Sequence, residues 1–243
     1  MKRIFLIISL FLLFDVSLAQ GNKYDSAAIF LMDRMSDVIG DLEACSFTVN
    51  TAVDDNDFDH GMVRHYGTSE VHMLGPDKML VITKNKKGHR QYMYNGTQLA
   101  YYSFTENNYG MIDAPPTIME AIDKIHLDYG IDFPAADFFY PTFTDDMIAL
   151  FDEIRYLGIE IVDGKECFHL LARNKDRSAQ VWINNDAFTL PAKMLIVDNT
   201  EGHPQIESTY SNWHINPVLP DAMFDFLPPA GATRLTIVAK NEQ

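Results

Sequence analysis

Histidine side chains are the first candidates for metal binding or catalysis in this sequence. No two of the eight have the i, i+4 spacing that places zinc ligands on one face of a helix. His169 lies two residues after Cys167 in an alternating apolar segment, which fits either a metal or nucleophile pair or a satisfied, half-buried histidine. We favour the second interpretation. The eight residues are His60, His65, His72, His89, His126, His169, His203 and His214.

An acidic run from Asp54 to His60 has the composition of a calcium loop but not its pattern. Counted from Asp55, oxygen-bearing side chains occupy the first, third and fifth ligand positions. His60 takes the place of the invariant glycine, however, and Tyr66 takes the place of the bidentate glutamate. The EF-hand pattern therefore fails, and a solvated hairpin tip is favoured over a loose, low-affinity cation site.

Motifs for catalysis and for cofactor binding are missing from the sequence. The chain has no Gly-x-Ser-x-Gly elbow, no phosphate-binding loop and no dinucleotide fingerprint. We therefore predict a protein that is not an enzyme and that has no cofactor and no metal. A hydrolase with an unrecognised site is kept only as a third hypothesis.

The first nineteen residues have the features of a secretory signal peptide. Lys2 and Arg3 precede an apolar run over residues 4–14, and residues 17–19 put small side chains at the −3 and −1 positions of a cut after Ala19. The apolar run is shorter than the roughly 20 residues that a permanent membrane span needs. No cysteine sits at the cut site, so we expect a periplasmic protein without a lipid or membrane anchor.

Export into an oxidising compartment makes the two cysteines, Cys45 and Cys167, candidates for a disulfide. A bridge between them would close a long loop and would stabilise the chain by about 4–5 kcal/mol on the loop-entropy argument. The alternative is two buried free thiols that act as small apolar side chains. The sequence leaves both alternatives open, because it does not show whether the two positions meet.

The charge of the chain restricts its partners. It has 19 basic and 34 acidic residues, a net charge of −15. Such a chain repels phosphate backbones and anionic lipid surfaces, so a nucleic-acid partner is not expected. Hydrophobic residues make up 47% of the sequence, which is ordinary for a domain with a core. No low-complexity linker divides residues 20–243, and we expect one domain there.

Hydrophobic periodicity predicts the elements that must position any site. Residues 24–42 have the apolar spacing of an amphipathic helix. Alternating segments on both sides of a helical middle region, residues 118–151, predict two antiparallel meanders. The fold class is therefore α+β: a large curved antiparallel sheet, an incomplete barrel of about 10–11 strands, with the helices in its concave side. A final edge strand is expected at Leu235–Val238.

Short motifs in a fixed order give the chain a family resemblance. The strongest run is VDGKECFHL at residues 162–170, followed by QVWI at 180–183, LPAK at 190–193 and FLPPAGA at 226–232. With YMYNG at 92–96, these motifs resemble a family of predicted bacterial periplasmic proteins known as domain of unknown function 2092. The resemblance covers nearly all of residues 24–236. It implies the fold of the lipoprotein-carrier (LolA/LolB-like) proteins, which hold acyl chains in an apolar hollow between sheet and helices.

Large apolar side chains of the first meander are the candidates for lining such a hollow. Methionine and aromatic residues adapt to ligands of varied shape. The same side chains could equally fill a closed core, because alternation shows which face is apolar and not whether it is empty. The candidates are Phe47, Val49, Met73, Met79, Tyr92, Tyr94, Leu99 and Tyr101.

Two functions follow from these patterns. The first is a periplasmic carrier or sensor of a hydrophobic ligand, a lipid, an acyl chain or a lipoprotein, which burial alone would hold at about 0.8 kcal/mol per methylene group. The alternative is an envelope protein-interaction module with a filled core and an acidic recognition face. The volume and lining of the space between sheet and helices distinguish the two.

Overall fold

The structure is a computed structural model that describes residues 23–131, 133 and 136–240. The expected signal peptide lies outside these residues. The chain order is one helix, six strands, a helical middle, five strands and a short final strand. The strands are β1 (Ala44–Asp57), β2 (Gly61–Leu74), β3 (Lys78–Asn85), β4 (Gly88–Tyr94), β5 (Gln98–Ser103), β6 (Asn108–Asp113), β7 (Glu153–Val162), β8 (Lys165–Arg173), β9 (Arg177–Asn184), β10 (Pro191–Asp198), β11 (Gln205–Ile215) and β12 (Thr233–Arg234).

The helix α1 runs from Ser26 to Gly40. It begins two residues later than the periodicity predicts, because Asp25 caps it by accepting a hydrogen bond from the backbone N–H of Ala27 at 2.9 Å. Tyr24 instead forms an isolated parallel bridge with Ile154 of β7. The buried face of α1 consists of Ala28, Leu31, Met32, Met35 and Ile39.

The middle helices are α2 (Ile118–Tyr129) and α3 (Phe143–Leu150), with a 3-10 turn at Ala136–Phe139 between them. Thr117 caps α2 through a hydrogen bond from the backbone N–H of Glu120. Gly130 ends the helix in the left-handed conformation, with φ of 65°, which glycine adopts without steric cost.

All twelve strands belong to one sheet, in the order β12-β6-β5-β4-β3-β2-β1-β11-β10-β9-β8-β7. Each meander is a run of hairpins, and the pairing of β1 with β11 joins the two, with Val49 opposite Tyr210. The sheet is open and does not close into a barrel. This confirms the predicted α+β class, an antiparallel sheet with helices on one side.

One apolar cluster lies between the helices and the sheet face that they cover, which we call the inner face. Strand residues at alternate positions, such as Val49, Val71 and Val81, pack there against Met35 and Ile122 of the helices. The cluster draws on both meanders. Among the described residues, no helix is long and apolar enough to cross a membrane.

The C-terminal segment differs from the prediction of an edge strand at Leu235–Val238. The strand is β12, two residues earlier, and it pairs in parallel with β6. The backbone N–H of Leu235 still donates to the carbonyl of Tyr109 at 2.7 Å. The chain then turns onto the inner face, where the Ile237 side chain occupies the space over Gly110.

The structure contradicts the disulfide alternative, since Cys45 and Cys167 are both free and buried. Cys45 belongs to the inner-face cluster, whereas Cys167 packs with Trp182 and Ala192 in a small cluster on the outer face. Four strand spacings also separate β1 from β8 in the sheet order, about 19 Å at roughly 4.8 Å each. A disulfide needs Cα atoms within about 7 Å.

Candidate ligand-binding site

Five of the candidate lining residues are part of a packed core. Phe47, Met73 and Met79 surround a residual space of only about 20 Å³ beneath α2 and the 3-10 turn. Phe47 also stacks on Trp213, with ring centroids 4.2 Å apart. The helices therefore fill this part of the inner face. The other two, Val49 and Tyr94, are fully buried.

The remaining three candidates, Tyr92, Leu99 and Tyr101, line an open space of about 290 Å³. We call it the apolar cavity. It lies between strands β4 to β6, the C-terminal end of α2 and the C-terminal segment of the chain. The side chains that complete its lining are Arg90, Ile112, Ile125, Tyr129, Ile131, Leu235, Thr236 and Ile237.

A second space of about 370 Å³ adjoins the apolar cavity and opens beside the β3–β4 hairpin. We call it the basic mouth, since Lys86, Lys87 and Arg90 line it together with one carboxylate, Asp55. Three residues, Arg90, Tyr92 and Ile131, line both spaces. The inner face therefore carries a polar space next to an apolar one. The lining of the basic mouth is completed by Thr51, Val53, His65, Tyr66, Gly67, Ser69, Val81, Thr83, Asn85, Gly130 and Phe133.

Aromatic rings form the wall between the two spaces. The ring of Tyr92 meets that of Phe133 edge-on at 5.4 Å and that of Tyr101 at 5.6 Å. Burial raises the pKa of the Tyr92 phenol, so this wall stays uncharged at neutral pH. The contact places Phe133, from the segment after α2, over the first meander.

Charges at the basic mouth are unequally paired. The Lys86 amine lies 2.7 Å from Oδ2 of Asp55, and this hydrogen bond holds the pKa of the Asp55 carboxyl below its usual range. The Arg90 guanidinium has no carboxylate partner among the described residues. Its Nη2 donates to the amide oxygen of Asn85 at 3.0 Å.

The acidic run at residues 54–60 is mostly strand. β1 extends to Asp57 and β2 begins at Gly61, so only a three-residue turn connects them. Asp54 accepts a hydrogen bond from Arg64 at 2.8 Å, and Asp57 lies 2.7 Å from His60. Three of the four carboxylates, those of Asp54, Asp55 and Asp57, have side-chain partners. The described part of the chain contains no group of three or more candidate metal ligands.

His169 is a buried histidine on the outer face, 6% exposed. Its Nε2 lies 2.9 Å from Oε1 of Gln180, and its ring stacks on Trp182 at 4.4 Å. Glu160 accepts from the Trp182 indole at 2.9 Å and lies 3.2 Å from Nδ1 of His169. The imidazole is thus buried within a network of side chains on the outer face.

A cleft of about 730 Å³ lies away from the apolar cavity. Its walls are the loop after β9, with Asp186 and Phe188, and the irregular end of β11, where Asn212 has φ of 55°. Asp163 and Lys165 of the β7–β8 hairpin line it as well. Its lining is mixed and charged, so it suits an apolar ligand less well than the apolar cavity does.

Sequence reasoning missed eight lining residues of the apolar cavity, among them Arg90, Ile112, Ile131 and Ile237. Arg90 had a usable signal, since it precedes Tyr92 by two positions and therefore faces the same side of the sheet. Ile131 and Ile237 lie outside regular elements, and no periodicity assigns them to a face.

Comparisons with known proteins agree with this architecture. The sequence model of the family described as "Predicted periplasmic protein (DUF2092)" matches residues 28–238. No curated protein sequence matches the chain. The lipoprotein LppX of Mycobacterium tuberculosis has a similar structure, with a TM-score of 0.50 at 13% identity over 81% of this chain and 98% of LppX. LprF of Mycobacterium bovis gives a TM-score of 0.46 at 11% identity over 80% of this chain and 96% of LprF.

A member of the LolA superfamily, NE2245 of Nitrosomonas europaea, aligns with 82% of this chain and 97% of its own at 13% identity, with a TM-score of 0.34. At 13% identity the similarity to LppX concerns the fold alone. The family match extends from α1 to the C-terminal segment, so it includes every element that borders the apolar cavity.

Proposed function

The chain belongs to the DUF2092 family of predicted periplasmic proteins, and we propose that it is a periplasmic carrier or sensor of a hydrophobic ligand and not an enzyme. The observation that supports this proposal is the apolar cavity, which lies between the sheet and α2 and adjoins the basic mouth. The expected signal peptide at residues 1–19 would deliver the protein to the compartment where such ligands cross between membranes.

The size and lining of the two adjoining spaces suit one chain of a lipid. Ligand sites commonly have volumes of about 300–1,000 Å³ and are mostly apolar, with a few polar groups. Leu99, Ile112 and Ile125 provide the apolar surface here. Each methylene group that leaves water for such a surface contributes about 0.8 kcal/mol, so burial alone accounts for binding.

The polar groups of the lining favour binding over catalysis. Ser69 donates its hydroxyl proton to Thr83 at 3.1 Å. His65 also lines the basic mouth, and within the described residues no hydrogen bond joins it to a hydroxyl or thiol group. Covalent catalysis requires a nucleophile next to a base. His65 and the hydroxyl groups of this lining do not form such a pair in the described residues.

Native mass spectrometry of the protein purified from its own periplasm tests the proposal. We expect an acyl-chain ligand on the wild-type protein and a much lower occupancy on Ile112→Trp, which fills the apolar cavity. Ile82→Trp is the matched control, because Ile82 is a half-buried strand residue on the outer face. This control should keep the ligand.

Repeated isolation of folded wild-type protein without any lipid would contradict the carrier. If crosslinking in intact cells then captured one dominant protein, the protein-interaction module with a filled core would replace it.

A further inference from the structure

The basic mouth carries an excess of positive charge, although the protein as a whole is acidic. The chain has a net charge of −15, yet three cations and one carboxylate line this space beside the apolar cavity. The carboxylate, Asp55, is paired with Lys86 at 2.7 Å. Lys87 and Arg90 therefore leave an excess of positive charge at this one position.

Arg90 is the cation at the junction, since it lines both the basic mouth and the apolar cavity. Its Nε is buried and has no hydrogen-bond partner. Leaving a buried donor of a charged group unpaired is costly. An acceptor on a ligand that enters the cavity would satisfy this donor.

Asn85 holds the guanidinium in place without neutralising it. Its amide oxygen accepts both from Nη2 of Arg90 at 3.0 Å and from the backbone N–H of Lys87 at 2.9 Å. An amide supplies a hydrogen bond but no negative charge. The planar guanidinium keeps its full charge and its free donors, a geometry that matches two oxygens of a carboxylate or a phosphate.

We propose that the ligand of this cavity is an anionic amphiphile whose oxyanion head binds Arg90, with Lys87 beside it, while its acyl chain lies in the apolar cavity along Tyr101 and Ile112. This inference rests on the proposed function and adds the class of ligand. A carboxylate head and a phosphate head share the required chemistry.

Calorimetric titration with matched probes tests the inference. The probes are dodecanoate, dodecyl phosphate and the uncharged glyceryl monododecanoate, each below its micelle concentration. We expect the wild-type protein to bind at least one of the two anions about 10- to 100-fold more tightly than the neutral probe, as charged hydrogen bonds imply. The relative affinity of the two anions shows whether the head is a carboxylate or a phosphate.

Substitution at Arg90 assigns this selectivity to a residue. Arg90→Gln should remove the preference for the anions and leave the affinity for the neutral probe unchanged. Arg34→Gln, at an exposed position on α1, is the matched control and should keep the preference. If Arg90→Gln does not fold, the selectivity of the wild-type protein alone decides whether the ligand has an anionic head.

The outcomes separate this inference from the proposed function. Equal binding of charged and uncharged probes by the wild-type protein would overturn the anionic head and leave the carrier intact. Anion selectivity that survives in a folded Arg90→Gln variant would overturn the role of Arg90. Binding of no probe at all would count against the carrier itself.

Discussion

The side chain of Ile237 lies directly over Gly110, so that a Cβ atom on Gly110 would stand 2.5 Å from Cγ1 and Cδ1 of the isoleucine. The C-terminal segment crosses the inner face at this point because β6 has no side chain there. It continues to Gly130 at the end of α2, where the Lys240 amine occupies the place of a side chain and a cation is favoured by the helix dipole. The segment thereby closes one side of the apolar cavity.

A side chain at residue 110 should displace this segment. Gly110→Ala puts a methyl group into the space of Ile237, and such overpacking costs about 1–3 kcal/mol. We expect a lower free energy of unfolding in urea and faster removal of the C-terminal residues by carboxypeptidase.

Gly40→Ala is the matched control, because its Cβ would meet nothing within 4 Å. It should leave the C-terminal segment protected and the stability equal or slightly higher, by roughly 0.5–1 kcal/mol. Equal carboxypeptidase sensitivity of both variants and the wild type would show that the segment does not depend on Gly110.

The filled part of the inner face makes a second prediction. Phe138 is 1% exposed and contacts the rings of Phe143 and Tyr210 at 5.2 and 5.4 Å. Phe138→Ala should lower the free energy of unfolding by about 3–5 kcal/mol, since truncation of a packed phenylalanine leaves a cavity.

Phe58→Ala is the control in the same chemical denaturation experiment. Phe58 is fully exposed in the turn between β1 and β2, so its loss should change the stability by no more than about 0.5 kcal/mol. Equal effects of the two substitutions would be incompatible with a packed helical layer.

The free thiols make a third prediction. Burial raises the pKa of the Cys45 thiol to about 12 and also raises that of Cys167. The thiolate is the form that alkylates, so both cysteines should react slowly with iodoacetamide at pH 8 in the folded protein. Both should react after denaturation without a reductant, as followed by intact mass. A pair that reacts only after reduction would demonstrate the disulfide that the structure contradicts.

An ion pair at the start of β7 makes a prediction about pH. Hydrogen bonds from Arg173 and Arg155 hold the pKa of the Glu153 carboxyl below its ordinary value of 4.5. A lowered pKa in the folded state stabilises the protein above the ordinary pKa, and this stabilisation is lost as the pH falls through the lowered value.

Glu153→Gln should therefore be less stable than the wild type at pH 7, and the difference should shrink steadily below about pH 4.5. Urea denaturation from pH 7 to pH 3 measures it. Glu201→Gln, in the exposed turn after β10, should show no such trend. A Glu153→Gln deficit that is the same at every pH would disprove the contribution of the ion pair.

Local patterns predicted most of the fold. The apolar spacing of residues 24–42 predicts α1, and the alternation in β1 to β6 and β7 to β11 predicts two meanders. The observed boundary of α1 differs from the predicted one because the Asp25 side chain caps the helix. The pairing of β1 with β11 joins residues about 160 positions apart, and no local pattern contains it.

Alternation in the sequence predicted which residues face the inner side of the sheet. It did not predict which part of that face is open. Phe47 and Tyr92 have the same alternation in the sequence, but the helices cover Phe47 and leave space beside Tyr92. That outcome depends on the positions of Phe133 and Ile237, and neither residue lies in a helix or strand.

Photocrosslinking tests the central claim most directly. A fatty acid with a terminal diazirine would be bound to the wild-type protein, activated, and located by peptide mass spectrometry. Crosslinks should fall on β5, β6 and residues 235–237, which border the apolar cavity. Crosslinks confined to the outer face, or to the cleft around residues 211–217, would contradict the account.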